Sequence, residues 1–467
     1  MALDRAALCV AMLCLGGGGG LAAETVRITR TDVAVALMRC EVALGQAQLG
    51  AEELAQVNRA FDRATLAFFG GDRAGTLRQV DGLTLRLLGI AQDPTAAAAL
   101  RLRARISPPG ATPGTPLELR LEPLYALPAG GLAAGAVWLE LVGQEGTRRI
   151  ELAGGTLATG GALRLEPLPV GGRRLELVLE GGNRLPMGGC AIAPGDLDAA
   201  RVALEDQLAA LPEAADSELV RARECAAARL QLLRASPDEE DTASSLADPL
   251  ALLAELKAEV QALEAGSDPY RGRAGDQWRA FRLGSQEVRY RVQAPRAALA
   301  RGGRLPVLIA FHGYQGDENM FRFAYGGGRL PALAEEQGLL LVTPRTEPFM
   351  RGTAAFDRLL EELGDDYPLD RGRIWLLGHS MGAQAAALLA RSRAERLAGV
   401  VLFAGGPMGG SAPTRSFVGS LDIAGGMVRR SEQVTVLEGW GHTLGVGPHL
   451  AQALAWLREL PPRRVYY

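Results

Sequence analysis

Lysine is almost missing from these 467 residues: Lys257 is the only one, and arginine supplies every other side-chain cation. With the Ala and Gly excess, this reads as the codon bias of a GC-rich genome and assigns no function. A surplus of positive charge is missing too. The formal net charge is −3, which excludes the basic footprint of a nucleic-acid binder and a polybasic membrane patch. Cysteine is sparse, with Cys9 and Cys14 near the start and Cys40, Cys190 and Cys225 beyond. Three thiols allow at most one internal disulfide, which excludes a disulfide scaffold; their Ala and Leu surroundings suit buried thiols equally. The apolar run Ala6–Leu15 is too short to span a bilayer. Histidine is confined to His312, His379, His442 and His449, so any imidazole chemistry falls to one of four residues.

What is present begins with a leader-like segment. A short start ending in Arg5, the apolar run, Gly16–Gly20 and Leu-Ala-Ala ending at Ala23 follow the order of a secretory signal. Residues 1–23 are therefore expected to be removed and the mature chain, with no transmembrane helix, to be periplasmic or secreted.

The length exceeds what one core usually supports. Residues 24–96 have helical texture, with Leu54, Val57, Phe61, Leu66 and Phe69 forming an expected packed stripe. Over 97–185 the period changes to strict alternation, as in Leu100–Ile106, Leu117–Leu121 and Leu139–Leu141, with Gly- and Pro-rich breaks between. This predicts an immunoglobulin-like antiparallel β-sandwich. A second helical segment is expected at 195–266. From 277 to 467 the apolar runs are short and continuous: Pro306–Phe311, Leu339–Val342, Arg373–Leu377, Leu397–Phe403 and Val434–Leu437. Helical stretches separate them, the texture of a mostly parallel sheet covered on both faces in an α/β domain.

Gly378-His-Ser-Met-Gly382 follows one of these strands directly and precedes an Ala-rich helix. Such a turn exposes a serine hydroxyl for attack on a carbonyl and aims the Met381 backbone N–H at the reacting oxygen. The base must follow Ser380 in the chain order of this fold, leaving His442 and His449. His442 lies in the loop after the last apolar run; His449 starts the final helix. Between Ser380 and His442 the carboxylates are Glu395, Asp422, Glu432 and Glu438. Asp422 ends an extended run, where it can hold an imidazole Nδ1–H; capping of the next turn is its plain structural alternative. Phe311-His-Gly-Tyr-Gln-Gly316 supplies a loop whose Tyr314 N–H is the natural second oxyanion donor. His312 is expected to fix that loop, and His379 to pack within the turn. No ligand cluster or dinucleotide fingerprint accompanies these motifs, so no metal or organic cofactor is expected.

The stretch His312–His442 resembles the α/β-hydrolase superfamily. His-Gly-Tyr-Gln-Gly-Asp-Glu-Asn at 312–319, Leu369–Ile374 before the turn and Gly439-Trp-Gly-His442 are similar to polyhydroxybutyrate-depolymerase-like and feruloyl-esterase-like secreted esterases, and to phospholipase/carboxylesterase relatives. The resemblance covers about the last 190 residues. It implies Ser380 as nucleophile, His442 as base, Asp422 as orienting acid, and cleavage of carboxylic esters. The short Phe403–Phe417 connection leaves no room for an inserted cap there, so the expectations are an open site acting on a bulky or polymeric ester, or a site covered by the upstream accessory regions. Residues 277–467 are expected to suffice for the chemistry, with the upstream regions accessory. A prolyl-oligopeptidase-type serine peptidase and a non-catalytic binding protein on the same fold are the alternatives.

Overall fold

In a computed structural model, residues 26–107, 116–127, 137–168, 170–192, 196–213, 216–234, 242, 248–406, 409–422 and 433–464 are described. The leader read at 1–23 lies outside them. Among the described residues no helix is long and apolar enough to cross a membrane.

Three helices open the described chain: α1 (Arg30–Gln46), α2 (Ala51–Phe69) and α3 (Arg73–Leu87). Thr29 starts α1 with a capping box, its hydroxyl accepting from Asp32 N–H while the Asp32 carboxylate accepts from Thr29 N–H. Ala36, Cys40, Val57, Phe61, Leu77 and Val80 share one apolar cluster. Buried Arg39 on α1 pairs with Asp81 on α3 at 3.1 Å. The expected α2 stripe is only partly core: Val57 and Phe61 are buried, whereas Leu66 and Phe69 are 55% and 37% exposed.

After the short helix α4 (Pro94–Leu100), seven strands follow among the described residues: β1 (Leu102–Ser107), β2 (Leu117–Pro123), β3 (Trp138–Gly143), β4 (Gly146–Glu151), β5 (Gly161–Leu165), β6 (Gly171–Val178) and β7 (Arg184–Ile192). They form two antiparallel sheets, β1-β2-β5 and β4-β3-β6-β7. Alternation explains the layering. Leu117, Leu119 and Leu121 of one sheet and Leu139, Leu141, Leu175 and Leu177 of the other meet in one core, while Glu118 and Arg120 pair outside it.

Helices α5 (Leu197–Ala209), α6 (Ser217–Leu230) and α7 (Pro249–Glu264) come next. They do not stand apart. Leu204, Leu230, Leu256 and Val260 pack on Trp278 and Ala280, and buried Arg229 donates to the Trp278 carbonyl and to Glu259. The strand they cover, β8 (Gly275–Leu283), begins two residues ahead of the boundary read at 277. Cys40 and Cys225 are buried free thiols.

The C-terminal sheet continues with β9 (Gln286–Ala294), β10 (Leu305–Phe311), β11 (Leu340–Pro344), β12 (Leu369–His379), β13 (Gly399–Phe403), β14 (Thr414–Gly419) and β15 (Val434–Leu437). Its order is β15-β14-β13-β12-β10-β11-β9-β8. Among the described strands, all neighbours from β11 to β15 pair in parallel and β9 is reversed. Helices α8 (Arg329–Gln337), α9 (Ala354–Asp366), α10 (Met381–Ser392) and α11 (Val446–Glu459) cover it. On β10, Val307, Ile309 and Phe311 face one helical layer and Leu308 and Ala310 the other. Burial on both faces is why the sequence runs here are continuous instead of alternating.

Candidate active site

Ser380 stands between β12 and α10 with φ 55° and ψ −115°, a backbone strained for any residue with a Cβ. The surroundings hold it there. Ser380 N–H donates to the Phe403 carbonyl of β13 at 3.0 Å. A Cβ on Gly378 would come within 2.2 Å of the Gly382 carbonyl oxygen, and one on Gly382 within 2.0 Å of the Phe311 carbonyl oxygen. The two glycines of the motif are thus steric requirements of the turn, and the serine is left pointing into a pocket.

His442 Nε2 lies 2.9 Å from Ser380 Oγ, and His442 Nδ1 lies 2.9 Å from Asp422 Oδ1. Asp422 is buried after β14. A carboxylate there can only accept, so Nδ1 carries the proton and Nε2 faces the serine as an acceptor. The structure therefore brings together Ser380, Asp422 and His442. Tyr314 lines the same pocket. Met381 is the first residue of α10, where backbone N–H groups have no intrahelical acceptor and the helix dipole favours negative charge.

The other histidines have structural partners. His312 Nδ1–H donates to the Gly313 carbonyl at 2.8 Å, and Nε2 accepts from Thr346 N–H at 3.1 Å. Burial lowers its pKa. His379 Nε2–H donates to the His442 carbonyl at 2.9 Å, so Nδ1 must accept, here from the Tyr325 hydroxyl at 2.6 Å. Burial and neighbouring His442 push the His379 pKa down to about 3, keeping this relay neutral. His449 donates to the Gly445 carbonyl at 2.8 Å.

The site also contains residues with no motif in the sequence. Helix α2 lies against the His442 loop: Gly441 N–H donates to Asn58 Oδ1 at 2.9 Å, and His442 N–H donates to the Asp62 carboxylate at 3.1 and 3.3 Å. Asn58 is oriented by its own Nδ2 donation to the Leu54 carbonyl. A Cβ on Gly441 would come within 2.4 Å of Asp62 Oδ2, so the contact needs glycine. From α1, Glu41 accepts from Gly326 N–H at 3.3 Å, and burial raises its pKa to about 8. Leu444 joins the apolar cluster of α1–α3. Of the two expectations for this site, open or covered by the upstream regions, the structure has the second: helices α1–α3, from the far end of the chain, stand over Ser380.

Compared with family models and with curated proteins, the chain matches none. Among solved structures it is similar to the feruloyl esterase module from Clostridium thermocellum, at 13% identity over 42% of this chain and 92% of that one, with a TM-score of 0.35. It is also similar to an S-formylglutathione hydrolase from Agrobacterium tumefaciens, at 16% identity, 40% and 96% coverage and a TM-score of 0.33. An acetyl xylan esterase from Aspergillus awamori is similar at 13% identity, 37% and 94% coverage and a TM-score of 0.30. The strand order with one reversed strand, and a serine on the strand-to-helix turn followed in the chain by its acid and histidine, give the C-terminal part the α/β-hydrolase fold.

Proposed function

We propose that the protein is an exported serine hydrolase that cleaves carboxylic esters through an acyl-enzyme. Ser380 Oγ attacks the acyl carbon while His442 Nε2 takes its proton. The tetrahedral intermediate then breaks its bond to the alcohol oxygen, and the alcohol leaves with that proton. Water adds to the acyl-enzyme by the same route, releasing the carboxylic acid and restoring Ser380. Asp422 keeps the proton on Nδ1 and stabilises the imidazolium. The Tyr314 and Met381 N–H groups are the oxyanion donors. Export rests on the leader-like residues 1–23.

The observation that carries this reading is the unbroken run of hydrogen bonds from Asp422 through His442 to Ser380. Hydrolysis of p-nitrophenyl acetate, set against a peptide p-nitroanilide, tests it. Ser380→Ala is expected to lower ester turnover on the order of 10⁴- to 10⁶-fold without unfolding the chain. A fluorophosphonate should label the wild type at Ser380. Peptide cleavage without esterase activity would identify a peptidase, and unlabelled Ser380 with no turnover a binding protein.

A further inference from the structure

The pocket that Ser380 and His442 line draws most of its walls from two parts of the chain, with Thr242 between them, and the described walls are overwhelmingly apolar. Val33, Leu37 and Met38 come from α1, and Phe61 and Phe68 from α2. Met320, Phe323 and Ala324 face them from the hydrolase side. The cavity volume is about 130 Å³, on a measure where one water needs about 10–15 Å³, and so more than an acetyl group fills. Phe69 and Tyr314 also line the pocket and are 37% and 49% exposed, so they mark its opening; their rings meet edge-on at 5.5 Å. Leu66, three residues earlier on α2, is exposed as well. Among the described residues, Arg30 and Asp317 are the basic and acidic side chains on the wall. The Asp317 carboxylate is engaged by the Thr242 hydroxyl and by Asn319 N–H.

Resting on the assignment of Ser380 as nucleophile, we infer that the substrate is an ester with an aliphatic acyl chain of medium length, seated between the elbow and helices α1–α3. The acyl group stays bound to Ser380 after the alcohol departs. It therefore suits the covered part of the pocket, while the alcohol leaves past Tyr314 and Phe69. Water would wet these walls beside an acetyl group; each added methylene removes apolar surface from it.

The test is the p-nitrophenyl ester series from acetate to octanoate, with the full mature chain. Burial of one methylene corresponds to about a fourfold gain in kcat/KM, and with incomplete contact the series should rise on the order of a hundredfold. Ala34 also lines the pocket, and Ala34→Trp should lower the octanoate-to-acetate ratio at least about tenfold by occupying the chain's place. A flat or falling series with the wild type, while acetate is hydrolysed and Ser380 takes a fluorophosphonate, would overturn the chain assignment and leave the hydrolase reading intact. So would preference for a succinate monoester, whose carboxylate Arg30 could hold. No turnover of any ester and no label would overturn both. The wild-type series decides even where the tryptophan variant fails to fold.

Discussion

At the scale of single residues, the two groups that hold the His442 loop come from a helix about 380 positions earlier. Asp62 accepts the His442 N–H, and Asn58 accepts the N–H before it. Neither touches the reacting atoms; both are positioning residues. Burial raises the Asp62 pKa, while its bond to the His442 backbone opposes the rise. Asp62→Ala should cost about 1–2 kcal/mol of transition-state stabilisation, read as a fall of about 5- to 30-fold in kcat with little change in KM. Asp62→Asn, which keeps an acceptor, should recover most of it. A loss confined to KM would mean that Asp62 serves substrate binding instead. The residues named from sequence, Ser380, Asp422 and His442, are legible because the turn motif is local and the chain holds so few histidines and carboxylates after it. Asn58, Asp62 and Glu41 are not legible. On an amphipathic helix a polar residue reads as solvated, and nothing in its own neighbourhood reveals a partner hundreds of residues away.

At the scale of elements, periodicity is a good guide where a face is wholly buried and a poor one where it meets another part of the chain. The alternating strands of the sandwich and the continuous runs of β10–β13 follow directly from one-sided and two-sided burial. The α2 stripe does not: Phe69 lies at the pocket mouth and Leu66 is exposed, instead of both being in a core. Helix α1 docks partly through Glu41, whose pKa rises from 4.5 to about 8 because burial penalises its charge. The folded chain thus holds this proton more tightly than the unfolded chain does. Its contribution to stability is full below about pH 4.5 and is lost as the pH rises through about 8. Glu41→Gln mimics the protonated form, so at pH 8 the variant should be about 1–3 kcal/mol more stable than wild type. That advantage should shrink toward pH 5. Denaturant melts at the two pH values measure it; equal stability differences at both would show that Glu41 does not titrate in this window.

At the scale of the whole molecule, the order of parts along the chain hides how they work together. The helices over Ser380 come first, the sheet that carries it comes last, and the sandwich and α5–α7 lie between. Read linearly, residues 277–467 look sufficient, because the turn motif, acid and histidine all fall there. The packing argues otherwise on two counts. A cut at 277 removes the first two residues of β8 and strips α5–α7 from Trp278 and Ala280. It also separates Arg279 from the Tyr270 carbonyl, one of its buried acceptors, and a newly exposed apolar edge of this kind favours association. The fragment 277–467 should therefore be aggregated or loosely packed. The fragment 196–467 keeps that edge covered and should fold, but it lacks Asn58, Asp62 and the apolar wall of α1 and α2. Its expected behaviour is slow turnover of p-nitrophenyl acetate and no gain with longer acyl chains, with separately expressed 26–192 restoring both. Size-exclusion chromatography and near-ultraviolet circular dichroism report the fold, and the ester series reports the site. A monomeric, well-packed 277–467 with the full chain's kcat and its preference for octanoate would show that helices α1–α3 rest on the site without shaping it.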